Sequence, residues 1–369
     1  MLTVGALALV VPFSRDPIEY DFSKLASRRG AVDGAAFWGK KLDAVMRSYG
    51  TPTVILTETP ERAEAVASAL AEEKAKQGTA SAIDSIATLQ RLLPTNQATN
   101  LVLLREIFAF LDDRALRALP ADLRPLAQRI RDRTRLQLVR FEDVPPRLVR
   151  LFRETDGHTG RLVLVYPTLA TNAQHGRLQL AFARTLRQVA QRTDPAAQIA
   201  GGLILSADIV ESITQGGSLA AALSFAAVSL LTLLILRSFR AAGWVVGSLS
   251  LGTLWMAGAF GAFGIKLNFV NFVVLPITFG IGVDYAVNFY QRFRQVPGPA
   301  RAEGALAASG GAVALCSTTT ILGYSALLIA DNRALFSFGL AAVVGEIACL
   351  SAALFALPAI LCWRETRSR

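Results

Sequence analysis

Long runs of apolar residues fill the second half of the chain, whereas the first half alternates between short apolar and polar stretches. A helix that crosses a bilayer needs about 20 consecutive, mostly apolar residues. Five runs meet this length: Leu219–Leu236, Gly243–Gly264, Phe269–Phe289, Ala305–Ala330 and Leu335–Trp363. The pattern therefore predicts five transmembrane helices, the last of which is long enough to tilt or to end in an interfacial turn near Pro358.

A shorter apolar run, Met1–Phe13, opens the chain. It is too short to cross a bilayer comfortably. A signal peptide begins with basic residues, and no basic residue precedes this run. We therefore predict that residues 1–13 are a first transmembrane helix that lacks its N-terminal turns, which brings the predicted transmembrane helices to six.

The polar half of the chain begins with a strand-then-helix pattern. Thr53–Thr57 is rich in β-formers, and the helix-forming run Glu61–Gln77 follows it. Thr59 is the predicted N-cap, with Pro60 in the first turn of the helix. Gly78 is the predicted residue that ends the helix in a left-handed conformation.

A second unit of the same kind follows later in the polar half. Leu162–Tyr166 reads as a strand, Arg177–Gln191 as an amphipathic helix and Ile199–Leu205 as another strand. Two βαβ-like units of this size predict a ferredoxin-like sandwich. The chain thus divides into the first helix, a mixed α/β domain at residues 14–217 and a five-helix transmembrane domain at residues 218–369.

Charged residues are concentrated in the α/β half. Of the 38 basic and 28 acidic residues, only 10 and 5 lie after residue 215. The net charge of +10 does not indicate nucleic-acid binding, because the chain lacks a basic helix with interleaved aromatic residues. In the second half the charges follow the loops between apolar runs, which is typical of a membrane protein.

The short loops predict an orientation. The loops on one side hold eight basic residues: Arg237, Arg240, Arg292, Arg294, Arg301, Arg364, Arg367 and Arg369. The opposite short loops hold only Lys266 and Arg333. The positive-inside rule places the eight arginines in the cytoplasm. In a bacterium, this predicts a multi-pass protein of the inner membrane whose large α/β domain is a periplasmic, porter-like domain.

Residue types that perform metal or covalent chemistry are scarce. The three cysteines all lie in apolar runs and are predicted to be small buried hydrophobes: Cys316, Cys349 and Cys362. His158 and His175 lie in the polar half and are predicted to be solvated. Gly34–Lys41 is similar to a phosphate-binding loop but lacks the hydroxyl residue that would hold magnesium. We therefore predict no metal, no cofactor and no enzymatic activity.

One carboxylate lies inside a predicted transmembrane helix. Asp284 is surrounded in sequence by apolar or small residues. A charge at membrane depth costs roughly 2.5–3.5 kcal/mol and often marks an ion or proton path. Gly280 and Asn288 share its helical face, one turn to either side. Gly282 permits close helix approach or flexing, and Pro276 predicts a kink one to two turns earlier.

Two later helices add polar groups at similar depth. The first of them carries four consecutive hydroxyl residues: Ser317, Thr318, Thr319 and Thr320. The last helix carries Glu346, which we expect to face the helix of Asp284 rather than lipid. With Tyr285, these groups predict a polar core shared by three helices. Two structural alternatives stay open, since Asp284 and Glu346 can each fix helix packing and hydroxyl residues often join helices.

Three segments resemble motifs of the resistance-nodulation-division transporters, and are closest to their MMPL-like, lipid-handling branch. They are Gly280–Tyr285 with the following Arg292 and Arg294, then Ser317–Tyr324, then Asn332–Gly339. The plan of one helix, a large periplasmic porter domain and five helices also matches. The chain is similar to the C-terminal half of such transporters, and its outer segments resemble the hopanoid-associated members.

The resemblance implies proton-driven export of lipids or other hydrophobic molecules. The family's proton-relay pair corresponds here to Asp284 and Tyr285, with support from the hydroxyls of Ser317–Thr320. Asn288 is assigned to the same support because it shares the face of Asp284. Glu346 is not part of the general motif, so its place in the relay rests on its position. Typical members have two such halves, which implies a second copy, a separate half-transporter or a longer protein.

A function of a different class stays open at this point. The same scaffold suits a membrane protein that does not export, such as a sensor of a sterol-like lipid or an accessory to protein translocation. The carboxylate favours proton coupling but does not prove turnover. Lipid pockets are lined by interchangeable apolar residues, so the sequence does not identify the cargo.

Overall fold

The computed structural model describes residues 2–46, 50–93, 96–110, 113–133, 138–140, 143–172, 176–298 and 300–367. The chain forms two compact units. The first, called the α/β unit, comprises Ser48–Thr168 and Ala181–Ile204. The second, called the helical unit, comprises Met1–Arg47, Leu169–Leu180 and Leu205–Arg369.

The described helices and strands follow one another along the chain. Up to the last strand they are α1 (Leu2–Arg15), α2 (Arg28–Asp33), α3 (Ala35–Met46), β1 (Thr53–Leu56), α4 (Pro60–Gln77), β2 (Ile83–Thr88), α5 (Gln97–Phe110), α6 (Asp113–Ala118), α7 (Arg124–Arg133), α8 (Pro146–Val149), β3 (Leu162–Pro167), α9 (Leu169–Asn172), α10 (Gly176–Thr193) and β4 (Gln198–Ala200). The remainder are α11 (Gly202–Glu211), α12 (Gly217–Leu236), α13 (Phe239–Phe263), α14 (Val274–Gln295), α15 (Arg301–Ser325), α16 (Arg333–Ser351) and α17 (Leu357–Arg367).

A four-stranded sheet lies at the centre of the α/β unit. Its strand order is β2-β3-β1-β4, and every neighbouring pair is antiparallel. Helix α4 connects β1 to β2, and α10 lies between β3 and β4 in sequence. This order and these connections are those of a split βαβ sandwich, which is the predicted ferredoxin-like arrangement.

Local capping signals set the bounds of α4. The backbone N–H of Arg62 donates to the Thr59 hydroxyl at 3.3 Å, and Pro60 occupies the first turn. Gly78 adopts a positive φ of 56°, and its N–H donates to the carbonyl of Lys74. The N-cap and the position of Gly78 after the helix are therefore confirmed as predicted, but with a ψ of −129° Gly78 lies outside the left-handed helical region.

Two details of the predicted strands are corrected by the structure. Strand β2 is missing from the prediction because only its two end residues, Ile83 and Thr88, are buried, so its sequence lacks the apolar alternation of a strand. The predicted strand Ile199–Leu205 is also too long. Strand β4 ends at Ala200, and α11 begins at Gly202.

The core of the α/β unit is formed by apolar side chains of the central strands and of two helices. The completely buried members include Ile55, Val163, Val165, Val66, Leu70, Phe182 and Leu186. Burial of each such side chain contributes roughly 1.5–3 kcal/mol. In α4 the buried positions Ala63, Val66, Ala67 and Leu70 recur at helical spacing, which fixes the face that packs inwards.

Five helices of the chain are long and apolar enough to cross a membrane: Gly202–Leu236, Phe239–Phe263, Asn271–Gln295, Arg301–Ile329 and Arg333–Arg367. Each overlaps one of the five predicted spans, which overrun the observed helices by at most two residues. The first begins at Gly202 and continues through a π-helical segment, Ser212–Gly216. The predicted domain boundary between residues 217 and 218 therefore lies inside a helix.

The last span continues past Pro358 instead of ending there. A proline inside a helix loses one hydrogen bond and clashes with the carbonyl four residues earlier, which here is that of Leu354. A π-helical segment, Ala352–Ala356, surrounds this carbonyl. Its wider turn accommodates the proline, so the helix continues to Arg367.

Helix α1 packs against α13. The rings of Phe13 and Phe260 meet edge to face, with 5.8 Å between their centroids. A Cβ atom on Gly258 would lie 2.8 Å from the Cα of Ala6, so the glycine allows the two backbones to approach. The apolar part of this first helix is shorter than the five spans.

The segment after α1 binds two loops of the helical unit. Ile18 forms a parallel bridge with Leu267, and Ser27 forms an antiparallel bridge with Asn332. The Ser27 hydroxyl also donates to the Asp331 carboxylate. These contacts place the segment after α1, the loop before α14 and the loop before α16 at one end of the bundle.

Opposite charges reinforce this end of the bundle. The Asp16 carboxylate lies 2.5 Å from the Lys266 ammonium and 3.5 Å from the Arg177 guanidinium. Lys266 holds the pKa of Asp16 below its usual range, and the Ser27 hydroxyl does the same for the pKa of Asp331. We call residues 16–29, together with the two loops that they bind, the outer clasp.

The cysteine and histidine predictions have mixed outcomes. Cys349 is buried as predicted, Cys362 is half-buried and Cys316 is exposed on this chain. His158 is exposed, as predicted, and its Nδ1 lies 2.9 Å from the Asp156 carboxylate. His175 lies outside the described residues.

Candidate functional site

Glu346 of α16 is the centre of a buried hydrogen-bond network. Its exposed fraction is 3%. The Tyr285 hydroxyl of α14 and the Ser317 hydroxyl of α15 both donate to its Oε1, the latter at 3.1 Å. A buried carboxyl group is costly unless it is hydrogen-bonded, so the two donors stabilise it here. One side chain thereby joins three helices.

Close packing holds these helices at hydrogen-bonding distance. Tyr285 and Ser317 are 1% and 0% exposed. Gly345, next to Glu346, has no side chain that would separate α16 from α14. A Cβ atom there would lie 2.8 Å from the hydroxyl oxygen of Thr278. Small residues at the helix contact therefore fix the geometry of the network.

Asp284 and Asn288 lie on the exposed face of α14. They line a groove of about 420 Å3 beside α15, whose lining also includes Gln291 and Arg292. No hydrogen bond or ion pair joins Asp284 to any other residue that the structure describes. A carboxylate at the predicted depth of the membrane is therefore open to the groove and without a protein partner.

Tyr285 borders both sites. It lines the groove next to Asp284, and its hydroxyl donates to Glu346. Glu346 thus faces the helix of Asp284, as expected from the sequence. The polar core is arranged as an exposed site and a buried site, with Tyr285 between them.

Only one of the four predicted hydroxyls reaches this network. Thr318 donates to the carbonyl of Ala314 at 2.7 Å, and Thr319 and Thr320 donate to the carbonyl of Cys316 at 2.7 and 3.1 Å. These three bonds stay within α15. Consecutive side chains point in different directions around a helix, so only Ser317 faces α16.

The sequence profile described as the MMPL family matches residues 74–364. This interval contains the buried network, the groove and, except for the last three residues of the final helix, the five spans from Gly202 onwards. The chain belongs to the MMPL family. The resemblance seen in the sequence, to MMPL members among the resistance-nodulation-division transporters, is thereby confirmed, and the five apolar helices make it a multi-pass membrane protein.

Individual relatives match parts of this MMPL chain. The hopanoid transporter HpnN of Burkholderia multivorans is 26% identical over 204 residues, which cover 54% of this chain and 23% of that protein. A Methanocaldococcus jannaschii protein, named as a membrane protein, is 26% identical over 120 residues, or 31% of each chain. The matches cover less than a third of either relative's length. The crystal structure of a heavy metal efflux pump shares 17% identity and a TM-score of 0.38, over 56% of this chain and 21% of that one.

The glycines and proline of the MMPL motif helix have distinct positions. A Cβ atom on Gly282 would lie 2.8 Å from the Cys349 sulfur, so this glycine brings α14 against α16. Gly280 has open space where a side chain would be. Pro276 lies in the first turn of α14, directly after the 3-10 turn Asn271–Val273. The predicted kink at Pro276 stays a prediction.

These two glycines give a matched pair of variants. We expect Gly282→Ala to destabilise the protein by about 1–3 kcal/mol, because the added methyl group overpacks the contact with Cys349. Gly280→Ala should not destabilise the protein and is expected to stabilise it by up to about 1 kcal/mol, because its methyl group meets open space and alanine favours the helix over glycine. Thermal unfolding of the purified variants in detergent, followed by tryptophan fluorescence, measures both. Equal unfolding temperatures for the two variants would contradict the packing role of Gly282.

A second buried polar cluster was missed by the sequence reasoning. Asn271 is completely buried, and its side-chain amide donates to Ser337 at 2.7 Å and to the Lys266 carbonyl at 2.9 Å. Asn268 donates to the same Ser337 hydroxyl at 3.0 Å. This cluster joins the start of α14 to α16. Its signal in the sequence is a pair of asparagines, three residues apart, between two apolar runs.

Proposed function

We propose that this MMPL chain is a transporter, or half of one, that uses the proton gradient to export lipids or other hydrophobic molecules. The observation that carries the proposal is the buried Glu346 carboxyl group, hydrogen-bonded by Tyr285 and Ser317 beside the groove that Asp284 lines. Ionisable groups at membrane depth are costly and are typical of proton paths. The mechanism is not enzymatic and uses no cofactor.

Tyr285 connects the two carboxyl groups in this mechanism. A phenol both donates and accepts hydrogen bonds, so it can receive a proton on one side and release its own on the other. Glu346 takes up a proton at its Oε2, which accepts no hydrogen bond from the described residues, and passes a proton to Tyr285. Tyr285 then gives its own proton to Asp284, which releases it at the groove on the side of Arg292. Asn288 offers an amide there, one turn away.

The face of α14 that carries Asp284 must be shielded from lipid by other protein. An ionised group open to lipid would cost roughly 2.5–3.5 kcal/mol, and Asp284 and Asn288 are exposed on this chain. A second protein surface removes this cost by supplying polar partners. We infer that a second half lies here, whether a copy of this chain in a homo-oligomer, a separate half-transporter or another part of a longer protein. Membrane lipids surround the remaining faces.

A lipid or other hydrophobic small molecule is the proposed cargo. The family and the name of HpnN, a hopanoid transporter, support this class. Reconstitution in vesicles tests it, with a fluorescent phospholipid and a fluorescent sterol-like lipid as probes. We expect transfer of one probe to acceptor vesicles to require an imposed pH gradient and to stop when a protonophore is added. Probe transfer that continues at the same rate after the protonophore is added would contradict proton-driven transport.

We propose the inner membrane as the location, with α1 as a sixth transmembrane helix and the α/β unit in the periplasm. The outer clasp supports this arrangement, because it groups Lys266 and Asp331 with the segment after α1, away from the arginine-rich loops. Those loops carry the charge that favours the cytoplasmic side.

Cysteine labelling tests this orientation. Thr79 and Ala300 are both exposed, and single cysteines there are introduced into a cysteine-free background. We expect an impermeant thiol reagent to label position 79, but not position 300, in intact spheroplasts. Permeabilised cells, in which both positions react, are the control. Labelling of position 300 alone in intact spheroplasts would invert the topology.

A further inference from the structure

The turn between α12 and α13 contains an unusual residue conformation. Helix α12 ends at Arg237, whose φ of 48° and ψ of 31° are left-handed. Ser238 follows at once as the N-cap of α13, accepting a hydrogen bond from the N–H of Ala241. Glycine or asparagine commonly occupies a left-handed helix end, because other side chains are strained there. An arginine at this position therefore suggests that its side chain is retained for a purpose other than folding.

One further arginine lies over an aromatic ring near this turn, and another shares the helical face of that ring. The Arg364 guanidinium lies 5.6 Å from the centre of the Trp244 ring, which brings the end of α17 to the start of α13. Arg240 lies one helical turn before Trp244 and so shares its face. The Trp244 ring thus carries a cationic side chain of α17 and lies on the same helical face as Arg240.

These arginines lack anionic partners in the protein. No ion pair joins Arg237, Arg240 or Arg364 to a carboxylate among the residues that the structure describes. By contrast, Arg301 at the same end of the bundle pairs with Glu365 at 3.0 Å. Glu365, which follows Arg364 in sequence, therefore pairs with Arg301. The guanidinium groups of Arg237, Arg240 and Arg364 can bind an anion from outside the protein.

Apolar side chains are exposed next to the same charges. Phe239, between Arg237 and Arg240 in sequence, is 84% exposed, and Ile235 is 58% exposed. Exposed apolar groups at the end of a membrane helix suit acyl chains, and guanidinium groups suit phosphate. Exposed apolar side chains and guanidinium groups thus lie side by side in the sequence of this turn.

We propose that Arg237, Arg240, Arg364 and Trp244 bind the headgroup of an anionic phospholipid, whose acyl chains lie against Phe239 and Ile235. We call these residues the headgroup site. General charge asymmetry of membrane proteins accounts for arginines in this loop. It does not account for a left-handed arginine or for the placement of Arg364 on Trp244. The site is separate from the proton path and does not depend on the proposed cargo.

Lipid-dependent stability of the full chain tests the site. Unfolding temperatures are measured in detergent with added phosphatidylglycerol, with phosphatidylcholine and with inorganic phosphate. We expect phosphatidylglycerol alone to stabilise the protein. Each juxtamembrane arginine contributes about five-fold to the apparent affinity for an anionic lipid, so the double variant Arg240→Gln/Arg364→Gln should weaken it about 25-fold.

Two further variants separate binding from folding and from net charge. Arg237→Gly relieves the left-handed strain, so it should raise the unfolding temperature without lipid and yet weaken phosphatidylglycerol binding about five-fold. Arg147→Gln/Arg150→Gln removes the same two charges as the first double variant, at exposed positions of the α/β unit, and should leave binding unchanged. An equal loss in this control, or unchanged binding in the first double variant, would overturn the site. Equal stabilisation by inorganic phosphate would overturn its assignment to a lipid.

Discussion

We expect Asp284→Asn to abolish proton-driven transport while the protein still folds and inserts. Asparagine has nearly the shape of aspartate and forms hydrogen bonds, but it does not take up a proton at physiological pH. Asp284 lies on the exposed face of α14, and a Cβ atom on neighbouring Gly280 would meet only open space. The substitution therefore disturbs little packing. Its effect is expected on transport and not on stability.

Vesicle transport with an imposed pH gradient measures this effect, with unfolding temperature as the folding control. Asp284→Glu keeps a titrating group in the groove and should retain partial transport. Asn288→Ala removes a polar neighbour on the same face without removing a titrating group, and should reduce transport less than Asp284→Asn does. Transport by Asp284→Asn at the parent rate would show that Asp284 is a structural carboxylate.

We expect Glu346→Gln to abolish proton-driven transport, as Asp284→Asn does, even though Glu346 is buried. The glutamine oxygen can accept both hydrogen bonds that Tyr285 and Ser317 now donate to Oε1. Its amide nitrogen occupies the place of the second oxygen and cannot be loaded with a proton. Helix packing therefore survives, while proton exchange does not.

Glu346→Leu supplies the comparison that isolates the packing role. Leucine leaves two buried hydroxyls without an acceptor, which costs about 1–3 kcal/mol for each. We expect this variant to unfold at a lower temperature than Glu346→Gln. If Glu346 only joined helices, Glu346→Gln would transport normally and Glu346→Leu would fail through instability. Transport and unfolding temperature, measured on both variants, distinguish these outcomes.

The elements with strong local signals were predictable. Apolar runs located the five spans, and Thr59 with Gly78 located the ends of α4. Strand β2 was not predictable from its own sequence, because most of its side chains are not buried and its pairing with β3 defines it. The π-helical segment before Pro358 was also not predictable from the sequence. It depends on how the helix relieves the clash between the proline ring and the carbonyl of Leu354.

Some features of the candidate site were also predictable from the sequence, and others were not. Burial of Glu346 followed from its distance to either end of an apolar run. The sequence could not show which hydroxyl of α15 meets it, because the rotation of a helix is set by its tightest contacts. Here one such contact lies at Gly339 of α16, where an added Cβ atom would lie 2.8 Å from the carbonyl oxygen of Tyr324 in α15. Sequence periodicity identifies a face but not its neighbour.

The outer clasp has a consequence for the order in which the molecule is completed. Ser27 and Asp331, which it joins, are 304 residues apart in the chain. During synthesis the segment after α1 emerges early, yet its hydrogen-bonding partners emerge only after α15 has been made. Contacts of such separation form late, because the intervening chain must first be ordered. The clasp therefore closes only after α15 has been made, and a closed clasp reports that the helices from α1 to α15 have been synthesised and ordered.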